Sequence, residues 1–412
     1  MTDTLEQVHV GIISMGYPPL KHVAGLRAGR FAQELVDLGA RVTVYTTSSP
    51  DQPAHESDND DRLRVIRAPS RAMTLGLAPP SGSPVARRAK TAVRMFGDGA
   101  FGEWVQDIVR IVEAQGPSAD HPDVLWAIHG LDSTHALARR LSHHLGVPWV
   151  ADYKDNWDFG KTGAARVAAY VAHRRRTSSA VLYTAASRIG ARHLRKVFGR
   201  HAVPIYTGVD VGLWEQSPPA DLGPRFNIVF TGHAVGPAMS TDIAAAGLVK
   251  ALEALPKGTV DVHYFGHTGE WLRQRLASAG LEAAFVDHGF ADRTAVACAQ
   301  KGADLLLYLP YVRVPLICVK FFEYLASGRP VLSVPEERDD WGAGEGVFAA
   351  RTVGDVTRRV VGLVRRWERE GALTSYARDM SKYEWRPQAE HLYALMTGLT
   401  AAGAPRQKVG PS

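Results

Sequence analysis

Two side chains of opposite charge lie three residues apart in a short segment of the C-terminal half. Lys320 and Glu323 belong to the segment 320–331, which reads KFFEYLASGRPV. In a helix this spacing places both side chains on one face, and a helix that starts here would add the positive end of its dipole. Such a corner could hold a diphosphate while the carboxylate accepts hydrogen bonds from sugar hydroxyls. An ordinary surface pair on a helix is the alternative, and composition alone favours it.

A histidine and a polar cluster follow two successive predicted strands. His129 ends the apolar run 124–128, and the cluster comes just after the short strand 149–151. The cluster consists of Asp152, Lys154, Asp155 and Asn156. Because the carboxyl ends of parallel strands share one edge of a sheet, these residues could form a single polar site. A histidine there could orient a substrate oxygen or transfer a proton, and a structural, hydrogen-bonded histidine is an equal alternative.

The loop 14–25 follows the first predicted strand and leads into a helix. It contains Gly16, Pro18, Pro19 and Gly25. Open α/β sheets bind ligands at such positions, and helix N-termini favour anions. Gly25 would let the backbone approach a ligand closely, whereas a plain turn is the alternative interpretation.

Two patterns resemble ligand motifs but occur in the wrong context. Gly97, Gly99 and Gly102 form a literal G-x-G-x-x-G, yet they follow a basic segment rather than an apolar strand. A dinucleotide site is therefore not expected there. The triplet 58–60, Asp-Asn-Asp, lies in a polar loop with no strand before it. We interpret it as a solvated loop, and no metal site is predicted.

The segments that carry this chemistry follow strands of an alternating strand–helix pattern. Apolar runs alternate with segments of helical spacing, first over residues 8–206 and again over 227–399. This alternation predicts two doubly wound α/β domains, each with a parallel sheet between helices. Glycines and prolines are dense between the two halves, which is typical of a linker. The predicted divisions are an N-terminal domain over 1–207, a linker over 208–224, a C-terminal domain over 225–384 and a final helix and tail over 385–412.

The composition is that of a folded globular protein. The 412 residues are 45% hydrophobic and 22% charged, and the length favours two domains. The longest apolar run, 304–320, is interrupted by Arg313 and two prolines, so no membrane span is predicted. Residues 1–7 lack the basic start of a secretory signal. The two cysteines, Cys298 and Cys318, have neither metal-binding nor disulfide-framework spacing, which favours a reducing cytoplasm.

The segment 320–331 resembles the K-x-x-E-Y-L-A-x-G-x-P-V signature of family 4-like glycosyltransferases of the GT-B fold. Other segments agree with that family in order, along nearly the whole chain. They are 17–46, 123–129 (DVLWAIH), 152–157 (DYKDNW), 205–210 (IYTGVD), 230–232 (FTG), Gly266, Gly289 and 385–393. The resemblance implies two Rossmann-like domains with a cleft between them, and a last helix that crosses back to the first domain.

Enzymes of this family transfer a sugar from a nucleotide diphosphate sugar with retention at the anomeric carbon. The resemblance implies His129, Lys320 and Glu323 as catalytic residues, and it implies diphosphate stabilisation without a metal or other cofactor. The implied donor-binding residues are Gly232, His233, Gly266, Gly289, Phe290, Leu316, Ile317, Cys318, Val319, Lys320 and Glu323. The implied acceptor-side residues are Gly16, Tyr17, Gly25, Arg27, Asp152, Lys154, Asp155 and Asn156.

Several positions depart from the family pattern. Pro315 stands where the family has a first Glu, His233 where Arg is common, and Thr207 where Asn is usual. An unusual donor, an unusual acceptor or a lost activity would each fit, and we expect Lys320 to supply part of the missing phosphate-binding charge. The alternatives are a sugar-nucleotide 2-epimerase of the same fold, an enzyme of pseudo-glycosyl transfer or of transfer to sulfur or nitrogen, and a non-catalytic sugar-nucleotide-binding protein.

The net charge of +6 is compatible with anionic small molecules, acidic lipid or nucleic acid. Nucleic-acid binding ranks last because no basic surface interleaved with aromatic residues is evident. The basic segments 87–94 and 174–200 allow a weak contact with a membrane surface, and a solvated basic face is the favoured alternative. The predicted partners are therefore a nucleotide diphosphate sugar and a small-molecule or glycan acceptor. The predicted location is the cytoplasm, with peripheral contact at the inner membrane face left open.

Overall fold

The computed structural model of the chain divides into two compact units. Unit 1 comprises Met1–Gly208 and Trp385–Ser412, and unit 2 comprises Val209–Glu384. The structure describes residues 7–19, 23–48, 61–70, 97–130, 132–154, 157, 161–234, 240–310, 319–334 and 345–401.

Unit 1 is built on a seven-stranded parallel sheet. Its strands are β1 (His9–Ile13), β2 (Arg41–Thr47), β3 (Leu63–Ala68), β4 (Val124–His129), β5 (Trp149–Tyr153), β6 (Leu182–Ala185) and β7 (Ala202–Pro204). They are ordered β3-β2-β1-β4-β5-β6-β7. Strand β1 lies between β2 and β4, so Ile12 has Val44 on one side and Trp126 on the other. Since both faces of the sheet are covered, every residue of β1 is buried.

Helices cover both faces of this sheet. They are α1 (Val23–Asp37), α2 (Gly102–Gln115), α3 (Asp132–Leu145), α4 (Gly163–Arg176) and α5 (Arg188–Phe198). One apolar core includes Trp104 of α2 and Leu137 of α3, and the core on the opposite face includes Phe31 of α1. A sheet with a separate core on each face is the doubly wound arrangement that the alternating pattern predicts.

Unit 2 repeats the arrangement with a six-stranded parallel sheet. The strands are β8 (Phe226–Thr231), β9 (Val260–Phe265), β10 (Phe285–Asp287), β11 (Leu305–Tyr308), β12 (Val331–Ser333) and β13 (Val347–Ala349), in the order β10-β9-β8-β11-β12-β13. The helices are α6 (Val211–Gln216), α7 (Thr241–Glu253), α8 (Glu270–Ser278), α9 (Arg293–Gly302), α10 (Val319–Ala326) and α11 (Val353–Glu370). Two doubly wound α/β units in one chain confirm the predicted fold class.

Helix α11 shows how local sequence sets the boundaries of an element. The Thr352 side chain accepts from the Asp355 backbone N–H while the Asp355 side chain accepts from the Thr352 N–H, which forms a capping box. Gly371 ends the helix in the left-handed conformation at φ 74°, which costs a glycine little. The helix packs Val356 and Val360 into the core of unit 2.

The last helix, α12 (Trp385–Ala401), belongs to unit 1. Its apolar face places Trp385, Leu392 and Met396 in the same core as Phe31. The rings of Trp385 and Phe31 meet edge to face at 5.8 Å. Gly208 lies so close to the Trp385 ring that a side chain at position 208 would clash with it. The chain therefore leaves and re-enters unit 1 at one packed point.

The structure differs from the sequence expectation in four places. Strand β5 continues two residues beyond the predicted 149–151, because Asp152 and Tyr153 pair with β6. Strands β3 and β13 have no counterpart in the sequence prediction. The predicted linker 208–224 contains helix α6, whose Trp214 is buried and donates from Nε1 to Gln300 Oε1 at 2.8 Å. Among the helices of the described ranges, none combines the length and the apolar character that a membrane crossing requires.

Candidate functional site

The sheet of unit 2 changes winding direction between β8 and β11. The chain runs outward from β8 to β10, then returns to β11 on the other side of β8. The segments that follow β8 and β11 therefore diverge at the carboxyl edge of the sheet, where open α/β sheets bind ligands. Gly232 and His233 follow β8, and α10 is the next described element after β11. We call this edge, with its residues Gly232, His233, Lys320 and Glu323, the unit 2 site.

Three glycine turns lie side by side at this edge. Gly232 donates its N–H to Phe265 O at 2.7 Å, and Gly266 donates to Gly289 O at 2.7 Å. Gly232 has φ 91°, a conformation that favours glycine. A Cβ at Gly266 would lie 2.5 Å from Gly232 O, so the second turn can approach the first only with a glycine at position 266. These turns present backbone to the edge instead of side chains, as phosphate-binding loops do.

The ammonium of Lys320 lies beside the first of these turns. Its Nζ is 3.2 Å from His233 O and 3.5 Å from Thr231 O, and it stands 5.1 Å from the centroid of the Phe230 ring. A Cβ at Gly232 would lie 3.4 Å from this Nζ. The second residue of α10 thus brings a positive charge to the end of β8, next to exposed backbone.

Glu323 lies one helical turn further along α10 and is mostly covered. Its side chain is 18% exposed, and its Oε1 is 3.7 Å from Arg293 Nη2. Burial raises the pKa of the Glu323 carboxyl, and the nearby cations Arg293 and Lys320 oppose that rise. Arg293 also pairs with Asp210 Oδ2 at 2.9 Å, so its guanidinium is held in place. Glu323 is a desolvated hydrogen-bond acceptor on the same helix as Lys320.

Two aromatic rings extend the unit 2 site toward β10. Phe290 is 74% exposed and stacks nearly parallel on His267, with ring centroids 5.0 Å apart. His267 follows the glycine turn of β9, and Phe290 follows that of β10. Val319 is half-buried at the start of α10, whereas Leu316, Ile317 and Cys318 lie outside the described residues. An exposed flat ring beside glycine turns is a surface on which a nucleobase can stack.

The corresponding switch point of unit 1 lies between β1 and β4. Gly16 and Tyr17 follow β1 and are buried, and the Tyr17 ring lies 5.6 Å from the Arg67 guanidinium carbon. Gly25 is buried within α1. The loop 14–25 is therefore mostly packed where the structure describes it.

Arg27 and Asp152, expected at an acceptor surface, lie in the core of unit 1 instead. Arg27 donates from Nη2 to Asp152 Oδ1 at 2.9 Å and from Nε to Oδ2 at 3.2 Å. Both side chains have zero exposure, and the guanidinium carbon lies 4.9 Å from the centroid of the Phe31 ring and 5.2 Å from that of the Trp126 ring. These residues hold α1 to β5 and line no surface. Lys154 is half-buried, and the expected residues Asp155 and Asn156 lie outside the described residues.

His129 ends β4 and belongs to a buried histidine cluster that the sequence analysis missed. His135 of α3 and His173 of α4 lie with it, and ring centroids are 5.1 Å apart for His129–His135 and 5.2 Å for His129–His173. Asp132 Oδ1 accepts from His173 Nε2 at 2.9 Å and lies 3.6 Å from His129 Nε2. The available signal was the spacing His129-x-x-Asp132-x-x-His135; nothing local points to His173.

Burial governs the protonation of this cluster. Burial lowers the pKa of His135 well below its usual value, and the neighbouring histidines lower it further. It also lowers the pKa of His173 to about 4, although Asp132 pulls the other way. The hydrogen bond from His173 and the close approach of His129 overcome the effect of burial on Asp132 and lower its pKa. At neutral pH the cluster therefore contains a carboxylate and two neutral imidazoles, His135 and His173.

The fold of the chain is similar to that of several solved structures. Sucrose-phosphate synthase from Thermosynechococcus elongatus matches with TM-score 0.65 and 16% identity over 96% of this chain and 100% of that one. The Anabaena protein HepE, solved with UDP and glucose, matches with TM-score 0.64 and 13% identity over 95% and 100%. A protein described as a UDP-N-acetylglucosamine 2-epimerase from Listeria monocytogenes matches with TM-score 0.52 and 11% identity over 96% and 97%.

At these identities the likeness establishes the fold, which is that of the GT-B glycosyltransferases. No protein-family model matches the sequence. No curated protein matches it significantly either.

Proposed function

We propose that the chain is a glycosyltransferase of the family 4-like type, which takes its sugar from a nucleotide diphosphate sugar bound at the unit 2 site. The observation that carries the proposal is the placement of Lys320 and Glu323 on one turn of α10, beside the exposed backbone of Gly232 at the end of β8. A cation, exposed backbone and a desolvated carboxylate at a switch point suit a ligand with both phosphates and hydroxyls.

The diphosphate would lie between the Gly232 turn and the start of α10. Lys320 supplies a full charge there, and the N–H groups at the start of the helix add the positive end of its dipole. His233, which stands where the family has Arg, is exposed on the same turn and adds a further donor. Stabilisation of the departing diphosphate would be the main catalytic contribution.

The sugar and the nucleobase would extend from the diphosphate in opposite directions. Glu323 would accept hydrogen bonds from hydroxyls of the ribose or the sugar, because its carboxylate is desolvated and steadied by Arg293. Phe290 would stack on the base. HepE was solved with UDP and UDP-glucose, which supports a uridine nucleotide as the first donor to test.

We propose transfer with retention to a small-molecule or glycan-precursor acceptor. The acceptor hydroxyl would attack the anomeric carbon from the face that the diphosphate leaves. The bond from that carbon to the diphosphate oxygen breaks, a bond to the acceptor oxygen forms, and the acceptor proton passes to the diphosphate. No nucleophilic side chain is required, and the resemblance implies neither metal nor organic cofactor for this step.

The epimerase-like protein among the similar structures supports a second candidate, a sugar-nucleotide 2-epimerase. An epimerase interconverts its donor without an acceptor, whereas a transferase releases nucleotide only when an acceptor is present. A sugar-nucleotide-binding protein would do neither. Incubating the bound sugar nucleotide with the protein, with and without a pool of acceptors, therefore separates the three.

Calorimetric titration with UDP, GDP, dTDP, ADP and their common sugars tests the site itself. We expect one nucleotide to bind. Lys320→Ala should lower the affinity for that nucleotide and for its sugar conjugate by about tenfold or more, as for a lost charge-assisted hydrogen bond. Glu323→Ala should weaken the binding of the sugar nucleotide. Lys250→Ala, an exposed lysine at the end of α7, is the matched control and should change neither. Failure of all four nucleotides to bind, or unchanged binding by Lys320→Ala, would contradict the proposal.

A further inference from the structure

The three histidines of the unit 1 cluster offer one ring nitrogen each to a common point. His129, His135 and His173 come from β4, α3 and α4, and their nitrogens lie within 4.8 Å of one another. Two imidazoles on one tetrahedral ion, each with a metal–nitrogen distance of about 2.0–2.1 Å, have ring centroids about 5 Å apart. The observed centroid distances of 5.1 Å and 5.2 Å match that spacing.

The outer nitrogens of two of these rings are already occupied. His135 Nε2 lies 3.2 Å from the carbonyl oxygen of Asp152, which can only accept, so Nε2 carries the proton and Nδ1 keeps a lone pair. His173 Nε2 donates in the same way to the Asp132 carboxylate at 2.9 Å. Ligating histidines commonly make this contact, a hydrogen bond from the second ring nitrogen to a carbonyl or a carboxylate, because it fixes the tautomer and the orientation of the ring.

The inner nitrogens lack partners. Among the residues that the structure describes, Nδ1 of His129, of His135 and of His173 makes no hydrogen bond, and neither does His129 Nε2. The side chain of His129 is 8% exposed and that of His173 is 2% exposed, while His135 has no exposure. Burying one such group without a partner costs about 1–3 kcal/mol, so unpartnered nitrogens on three adjacent rings favour a common partner.

We infer that His129, His135 and His173 bind one divalent transition-metal ion, with Zn²⁺ as the natural occupant. An all-imidazole set suits zinc, copper or nickel and is a poor match to Mg²⁺ or Ca²⁺, which prefer oxygen. A single ion satisfies all three lone pairs at once. A set of three histidines leaves a fourth position for water.

Asp132 is the outer-shell group of this site. Its Oδ1 accepts from His173 and lies 3.5 Å from Arg176 Nη1, so one carboxylate faces both an imidazole and a guanidinium. The negative charge of Asp132 offsets the positive charge of Arg176 beside the ion. The ion joins β4, α3 and α4 and thereby fixes helix α4 against the sheet.

The inference is independent of nucleotide binding, which concerns unit 2. It does change the expected role of His129, because a ring nitrogen bound to an ion cannot transfer a proton. It also revises the expectation that the chain binds no metal, although the transfer step itself is not routed through this ion.

The test is metal binding by the full chain, without a histidine tag. After removal of metal with EDTA and desalting, Zn²⁺ is titrated in competition with a chromophoric chelator, and Co²⁺ is added separately for its visible spectrum. We expect one ion per chain, and a Co²⁺ spectrum typical of tetrahedral nitrogen ligation. His135→Gln and His173→Gln should each weaken Zn²⁺ binding at least tenfold, and the triple variant with His129→Gln should abolish it.

His288→Asn is the matched control, because His288 contacts His263 at 3.0 Å but the pair lies outside the three-histidine group. This variant should bind Zn²⁺ as the parent chain does. Circular dichroism identifies variants that fail to fold, and the Co²⁺ spectrum of the parent chain tests the inference without any substitution. No Zn²⁺ binding by the parent chain, or undiminished binding by a folded triple variant, would overturn the inference and leave buried water as the partner of the three nitrogens.

Discussion

The guanidinium of Arg27 and the carboxylate of Asp152 form a two-pronged ion pair with no exposure to solvent. Arg27 also donates to Thr207 Oγ1 at 3.2 Å and to Ile205 O at 2.9 Å, and Asp152 accepts from Thr184 Oγ1 at 2.7 Å. The pair therefore joins α1 to β5 and to the chain that leaves unit 1. A buried pair satisfied to this degree is a structural element of the core.

Removal of one partner should destabilise unit 1 strongly. Arg27→Met leaves the Asp152 carboxylate buried without its counter-charge, which costs about 3–5 kcal/mol in comparable pairs. Urea unfolding followed by circular dichroism measures the change. Arg110→Ala is the control, because Arg110 pairs with Asp107 at the surface with 72% of its side chain exposed and should contribute about 0–1 kcal/mol. Equal urea midpoints for Arg27→Met and Arg110→Ala would show that the buried pair does not stabilise unit 1.

Substitution of Gly232 should affect nucleotide binding more than it affects stability. Gly232→Ala and Gly258→Ala both force a side chain into the left-handed region, at φ 91° and φ 79°, and both should lose about 1–2 kcal/mol. At Gly232 the added Cβ would lie 3.4 Å from Lys320 Nζ, whereas at Gly258 it meets nothing closer than Arg225 at 4.0 Å. Calorimetry with the preferred nucleotide should show weaker binding only for Gly232→Ala. An equal loss of affinity in both variants would show that the Gly232 turn is not part of the nucleotide site.

A membrane contact remains a prediction, and helix α4 is the place to test it. Val167 and Val171 are 64% and 48% exposed, and Arg174 and Arg175 follow in the last turn. Exposed apolar side chains next to arginines favour binding to anionic lipid. We expect the chain to float with phosphatidylglycerol vesicles at low salt, and the double variant Val167→Glu, Val171→Glu to float less. Val181→Glu, at a valine of 45% exposure elsewhere, is the control. Absence of flotation at low salt would exclude the contact.

Most of the framework could be predicted from the sequence because its signals are local. The apolar run before His129 and the helical spacing of 102–115 each depend on neighbouring residues alone. Predicted helices agree with α2 and α3 to within one residue. Short edge strands such as β13, with three residues, have too little sequence to show a period.

The candidate sites were only partly predictable, because burial and convergence are not local properties. Asp152 follows an apolar run in the same way as an exposed site residue would, and only the position of Arg27 shows that it faces the core. His173 is 38 residues from His135 and lies in a basic helix, so its approach to the cluster depends on how α3 and α4 pack. Lys320 and Glu323 were identifiable because three residues along one helix fix a common face.

The buried histidines should make the stability of unit 1 fall in mild acid. Burial lowers the pKa of His173 to about 4, whereas an unfolded histidine titrates near 6.5. The neutral His173 therefore contributes its full stabilisation above pH 6.5. That contribution is lost as the pH falls from 6.5 toward 4, because the histidine of the unfolded chain binds a proton in this range before that of the folded chain does. The difference of about 2.5 pKa units corresponds to about 3 kcal/mol.

Urea unfolding between pH 7.5 and 4.5, with EDTA present so that no metal competes for the imidazoles, measures this loss. His173→Gln cannot titrate, so its stability should fall less steeply than that of the parent chain over this window. The exposed His143 of α3 provides the control, and His143→Gln should follow the parent curve. Parallel curves for His173→Gln and the parent chain would mean that His173 is protonated in the folded protein at these pH values. Asp132, its hydrogen-bond partner at 2.9 Å, would then hold a charged imidazole in the core.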